Sequence, residues 1–242
     1  MRSFAARSPE TEMMDGDDVT AADFAACLHD LAEVNTLTLA RPPTLAWLAD
    51  ATATMSPGDR FTLLDVGYGE GDMLRAIHRW ATARGLVPTL IGIDLNPLSA
   101  PAAIGATDRA LNIDYRTGDM FDFPPDEPVD FIVSSLVAHH LSDGQITHFL
   151  RWMEARADRG WFVNDLHRHW FAFYGFRALA TVARWHRFVR NDGPVSIARS
   201  FRIDDWDRAL ATAGIEREAV ALGYKFPFRL CLGRLKRSVG WH

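Results

Sequence analysis

The stretch Phe61-Thr62-Leu63-Leu64-Asp65-Val66-Gly67-Tyr68-Gly69-Glu70-Gly71-Asp72-Met73-Leu74 constrains this chain more than any other. An apolar run ends in Asp65, glycine follows at every second position, and a helical pattern then starts with Met73, Leu74, Ile77 and Trp80 on one face. Glycine lets a backbone turn tightly and approach a ligand where a Cβ would clash. The helix beyond points its unpaired N–H groups at whatever lies over the turn. Strand and helix patterns alternate from there, with strands at 61–65, 89–94, 113–117, 130–134 and 161–165 and helices at 72–84, 100–106 and 143–156. That alternation implies an α/β fold, a parallel sheet with helices on both faces.

The flanks read differently. Residues 1–19 are polar and acidic and are expected to form a partly ordered arm. A helix follows from Thr20, whose hydroxyl can cap it, and a second spans 44–53. After the fifth strand, 167–190 reads as a long aromatic helical region, Asn191-Asp192-Gly193-Pro194 as a turn, and 199–201 as a short extended piece. A helix at 204–213 ends at Gly214, and two strands, 218–223 and 226–231, flank Tyr224-Lys225. The expected organisation is an arm and helical cap at 1–55 and a main domain at 56–242, with an aromatic insertion at about 167–200.

The hydrophobics-Asp-x-Gly-x-Gly-x-Gly string resembles the cofactor loop of class I S-adenosylmethionine (SAM)-dependent methyltransferases. The competing dinucleotide fingerprint, G-x-G-x-x-G, requires glycine where Asp72 stands. A pyrophosphate would also meet Asp65, Glu70 and Asp72, whereas a cationic sulfonium is compatible with all three. The resemblance implies a three-layer, Rossmann-like, seven-stranded and mostly parallel sheet with an N-terminal helical cap. SAM would lie across the carboxyl ends of strands one, two and four, over Asp65, Gly67, Gly69 and Gly71.

Asp94, at the end of strand two, can accept from both ribose hydroxyls, and Asp94-Leu95-Asn96-Pro97 resembles the family's second motif. The plainer alternative is that Asp94 caps the turn into Asn96. Gly118-Asp119-Met120 resembles the third motif. By that resemblance Asp119 accepts from the adenine amino group and the polarisable thioether of Met120 packs on the ring; an Asx turn and a core methionine are the alternative. The fourth motif is matched by 130–141, ending His139-His140-Leu141, a signature of many quinone-type and natural-product methyltransferases. There the backbone from Ser134 to Leu136 would face the methionyl part of SAM, and the histidines would approach the reactive methyl.

Asp165 closes strand five at the same edge, where ligands of open α/β sheets bind. In some sugar and phenol O-methyltransferases of this superfamily, a histidine after strand four works with an acid after strand five. His139 or His140 with Asp165 fits that pattern. Arg41, between the cap helices, is a candidate partner for the cofactor carboxylate. Asn164, Asp165, His167 and His169 could ligate a metal, but strand four ends in serines where catechol-type enzymes carry an acid, so no metal is expected.

The implied activity is methylation of a small molecule, at the hydroxyl of a phenolic or a polyketide- or quinone-like acceptor. C-methylation of an activated ring and a non-catalytic SAM-binding partner subunit are the alternatives. The aromatics from Trp170 to Phe188 read equally as acceptor pocket or as core. A net charge of −5 gives a nucleic-acid partner no electrostatic support. The basic stretch 229–237 alternates with leucines and reads as a strand edge or solvated face. No apolar run approaches the ~20 residues of a membrane span. Cys27 and Cys231 have neither pairing nor metal spacing, so free thiols in a reducing cytoplasm are expected.

Overall fold

A computed structural model of the chain describes residues 4–16 and 20–236. Its centre is a seven-stranded sheet: β1 (Arg60–Val66), β2 (Val87–Asp94), β3 (Asp114–Thr117), β4 (Val129–Ser135), β5 (Ala157–Leu166), β6 (Ala221–Lys225) and β7 (Arg229–Leu235). The spatial order is β3-β2-β1-β4-β5-β7-β6. β1 to β5 pair in parallel, and β7 runs antiparallel to both neighbours. The order reverses between β1 and β4, which opens a crevice at their carboxyl ends.

Side chains alternate across the sheet, and each face buries its own set. Leu64, Val66, Ile91, Ile93 and Ile132 pack under α5 (Asp143–Arg156) and α8 (Ile203–Ala213), through Phe149, Leu150, Met153, Trp206 and Leu210. Phe61, Leu63, Leu90, Phe131 and Val133 pack under α2 (Arg41–Ala51) and α3 (Asp72–Ala83), through Trp47, Leu48, Met73, Leu74 and Ile77. Burial on both faces is why these strands read as near-continuous apolar runs. Each such side chain contributes roughly 1.5–3 kcal/mol when fully buried. A shorter helix, α4 (Ser99–Ala106), bridges β2 and β3.

The cap is α1 (Ala21–Leu37), started by Thr20, whose hydroxyl accepts from Asp23 N–H at 3.1 Å. It packs on α6 (Trp170–Val182) and α7 (Arg187–Arg199) through Cys27, Val34, Ala180, Trp185 and Phe188. No helix among the described residues is long and apolar enough to cross a membrane.

Four expectations about the flanks change. The 191–194 stretch is not a turn; it lies inside α7, and the break falls earlier, at Arg184 with φ +57°. Gly193 is there for space, since a Cβ would stand 2.0 Å from the Phe176 ring. The final hairpin turns at 226–228, not at Tyr224-Lys225. The basic stretch forms β7, an interior strand with Leu230, Cys231 and Leu232 buried, so its described part is neither edge nor solvated face. Arg237 lies outside the described residues.

The arm is also more than a partly ordered extension. Ser8 N–H reaches Ala198 O at 2.9 Å, and Met13 and Met14 N–H both donate to the Asp192 carboxylate, at 2.8 and 2.9 Å.

Candidate active site

The turn after β1 needs its glycines for two separate reasons. Gly67 and Gly71 sit at φ +75° and +77°, a region costly for side-chain-bearing residues. A Cβ would also stand 2.2 Å from Val137 Cγ2 at Gly67 and 2.4 Å from Tyr115 Oη at Gly71. Asp94 braces the turn from β2. Its Oδ2 accepts from Gly69 N–H and its Oδ1 from Asn96 N–H, both at 2.9 Å. The capping role is therefore present, and a carboxylate's ~4 acceptor positions leave room for ligand hydroxyls as well.

Over this edge lies a cavity of about 1170 Å³. Asp65, Gly67, Gly69, Asp94, Leu95, Asp119, Met120, His139 and His140 line it together. Asp119 also accepts from Phe121 N–H at 2.9 Å, making the expected Asx turn. Four other predicted residues stand outside the wall. Gly71 closes the turn as the N-cap of α3. The Ser134 hydroxyl donates to Val66 O at 3.2 Å, and Ser135 and Leu136 line the cavity instead. Arg41 is engaged by Thr36 and lies 3.7 Å from Asp72. Asp165 sits behind His139.

That last contact organises the end of the cavity beyond β4. Leu136 leaves β4 in the left-handed region, φ +63°, with its N–H on Asn164 O at 2.9 Å. A single 3-10 turn, Ala138–His140, follows. Asp165 accepts from His139 twice, Oδ2 from the backbone N–H at 2.9 Å and Oδ1 from Nδ1 at 2.7 Å. The arm sets Glu12 against the other side. Its Oε1 lies 3.6 Å from His139 Nε2 and its Oε2 3.7 Å from His140 Nε2. Ser196 Oγ donates to Oε1 at 2.8 Å. Arg7 and Arg199 hold the turn by its carbonyls, from His139 to Leu141.

Burial alone would disfavour a charge on His139, but Asp165 and Glu12 outweigh it and raise its pKa to about 9. Burial would likewise raise Glu12, yet the two imidazoles and Ser196 bring it down to about 2. Asp165 is held below its ordinary value against the same burial, chiefly by His139. At neutral pH His139 is thus an imidazolium clamped between two carboxylates, while His140 keeps 31% of its side chain exposed.

A family model described as a methyltransferase domain matches residues 63–160, from inside β1 into β5. Over those residues the chain is similar to methyltransferase domains. It is similar to an 8-hydroxyquercetin 8-O-methyltransferase of Mentha piperita, 29% identical over 90 residues, or 37% of this chain and 22% of that protein. An uncharacterized methyltransferase of Geobacillus thermodenitrificans is 33% identical over 85 residues, 34% of this chain and 35% of the other. The chain thus spans between about a fifth and a third of the length of these curated relatives. Among solved structures, a SAM-dependent methyltransferase from Aquifex aeolicus shares the fold, with TM-score 0.59 and 18% identity over 87% of this chain and 97% of that one.

The cavity's own polar balance fits a SAM-type cofactor. Asp65 is 1% exposed, and neither of its carboxylate oxygens has a hydrogen-bond partner among the described residues. Burial, with Asp72 and Asp94 nearby, pushes its pKa well above the usual carboxylate range. A ligand carrying a sulfonium and an ammonium relieves that arrangement; an anionic pyrophosphate worsens it.

The possible metal set at 164–169 does not converge. Asn164 donates to Ala40 O at 2.7 Å, tying the cap to the sheet; His167 packs on Tyr224; and His169 caps α6 by accepting from Phe171 N–H at 3.2 Å. A different trio, Glu12, His139 and His140, brings its donor atoms within 4.8 Å of one another. Glu12 is the site residue that sequence reasoning missed. Nothing in the arm's composition separates it from Glu10 or Asp15.

Proposed function

We propose that this chain transfers the methyl group of SAM to a hydroxyl of a small phenolic, polyketide-like or quinone-like acceptor. One observation carries the reading: two imidazoles in the wall of the glycine-turn cavity, one clamped between Asp165 and Glu12, the other partly open. SAM, when bound, supplies an electrophilic methyl on its sulfonium. Asp94 would hold its ribose, Asp119, Met120 and Leu95 its adenine, and the turn from Asp65 to Gly71, with the backbone after Ser134, its methionyl end. Arg41 would act on that end through Asp72.

His140 is the base in this reading. It can remove the acceptor's proton as the methyl arrives, a contribution of about 10²–10⁴-fold. His139, already charged, is the wrong form for a base; it favours negative charge developing on the acceptor oxygen. Asp165 and Glu12 keep it charged and oriented. The larger share of the rate comes from alignment of acceptor and methyl donor, worth about 7–11 kcal/mol at best. Phe24, Phe171 and Phe176 line the acceptor side and suit a flat ring. The hydroxylated aromatic named for the mint relative supports the same class.

No metal takes part in this scheme. Glu12 turns separate oxygens to separate imidazoles and takes the Ser196 hydroxyl. Cys27 and Cys231 are buried free thiols, consistent with work in a reducing cytoplasm.

The test is transfer of labelled methyl from SAM to a panel of hydroxylated aromatics, with products located by NMR. An O-methyl product is expected. A ring-carbon product would replace the hydroxyl reading with C-methylation. Binding of S-adenosylhomocysteine (SAH) with no transfer to any acceptor would favour a non-catalytic SAM-binding subunit.

A further inference from the structure

Arg229 opens β7 opposite Leu166, the last residue of β5, so it emerges at the ligand-binding edge of the sheet. It lines the cavity and is only 1% exposed. Its contacts are all with neutral oxygens and all long: Nε to Thr38 O at 3.5 Å, Nη1 to Asn164 Oδ1 at 3.3 Å, and Nη2 to Thr38 Oγ1 at 3.2 Å. Among the described residues it forms no ion pair with a carboxylate. A guanidinium stays charged in proteins, and a buried charge without a counter-ion is costly. It carries five N–H donors, so two remain beyond these contacts.

We propose that Arg229 forms a carboxylate-binding subsite in the cavity wall. A planar fork of parallel N–H donors matches a carboxylate in two-point geometry better than it matches isolated carbonyls. The same cavity holds an unpaired buried carboxyl group, Asp65. Both groups line the cavity, and the Asp72 carboxylate acts electrostatically on each, with Asp165 acting on Arg229 as well. A buried carboxyl that an ammonium would ionise and a cation without a counter-ion, in one cavity, call for a zwitterion, and an α-amino acid head group is one. Arg41, the sequence's candidate for this role, is outside the wall and engaged by Asp72.

The carboxylate has two possible sources. It belongs to the amino-acid end of the cofactor, in which case the subsite rests on the SAM reading above, or to an acid group on the acceptor.

Calorimetry on the wild-type chain, Arg229→Met and Arg229→Lys separates these sources. SAH is compared with its decarboxylated analogue, in which an aminopropyl chain replaces the amino-acid end. For a cofactor carboxylate, wild type prefers SAH by roughly tenfold to hundredfold, and Arg229→Met erases the preference by weakening SAH alone. Arg229→Lys keeps part of it. For an acceptor carboxylate, that preference is unchanged, but 4-hydroxybenzoate binds SAH-loaded wild type and not Arg229→Met.

A purely structural Arg229 would lower the ligand-free Tm when replaced and leave both discriminations intact, and that result overturns the subsite. The proposal expects no loss of Tm in Arg229→Met, because an apolar side chain there removes an unpaired buried charge. If that variant does not fold, wild type and Arg229→Lys decide. Equal affinity of wild type for SAH and its analogue, with no 4-hydroxybenzoate binding, overturns the proposal. A wild-type chain that binds no SAH at all sinks the SAM reading instead. The 4-hydroxybenzoate arm on the free protein then still judges Arg229: binding lost in Arg229→Met supports the subsite, and no binding overturns it.

Discussion

Asp94 and the histidine pair carry the sharpest residue-scale consequences. Asp94 both braces Gly69 and faces the cavity, so Asp94→Ala should weaken SAH by about 1–3 kcal/mol, the cost of leaving polar partners unsatisfied. Unchanged affinity in calorimetry would reduce Asp94 to a turn cap. His139 and His140 are neighbours in sequence with different surroundings, and their variants should differ accordingly. His140→Ala is expected to lower kcat about 10²-fold or more with little change in SAM binding. Among the described residues, Glu12, His139 and Asp94 act on that imidazole. His139→Gln and Asp165→Asn should cost less in kcat and more in Tm. Equal losses in both histidine variants would contradict the division of labour.

At the scale of elements, the arm is a working part of the site, and its attachment is an ion-pair device. His139 has its pKa raised from 6.5 to about 9, so its pairing contributes fully below about 6.5 and fades as pH rises through about 9. Glu12 is lowered from 4.5 to about 2, so its pairing contributes fully above about 4.5 and fades as pH falls toward about 2. The Tm gap between wild type and Glu12→Gln should therefore be widest between about 4.5 and 6.5 and narrow above about 9. A gap independent of pH would show that the clamp contributes nothing as an ion pair.

How much was legible in the sequence varied by element for physical reasons. β1 and α8 carry local signatures, a continuous apolar run and a Gly214 stop in the left-handed region at φ +77°, and both appear where expected. Asn191-Asp192-Gly193-Pro194 carries turn residues that tertiary contacts override: Phe176 fills the space over Gly193, and Asp192 binds the arm. Glu12 meets partners far off in sequence, 184 residues away for Ser196, and no local pattern encodes such a contact. Arg229 looked like part of a basic alternation because its burial depends on which strands flank β7.

For the whole molecule, the strand order and the two-faced core deliver three acids, a glycine turn and two imidazoles to one edge. Catalysis there is expected to survive treatment with a chelator. A rate abolished by chelator and restored by magnesium would convert Glu12, His139 and His140 from an ion-pair cluster into ligands. Upstream of all such chemistry is the cofactor itself, on which every assignment to the glycine turn depends. Calorimetric titration of the wild-type chain with SAH and, separately, with NADH tests that claim most directly. The account predicts saturable one-to-one binding of SAH and no heat from NADH, because the buried, unpaired Asp65 favours a cation over a pyrophosphate. Binding of NADH without binding of SAH would contradict it.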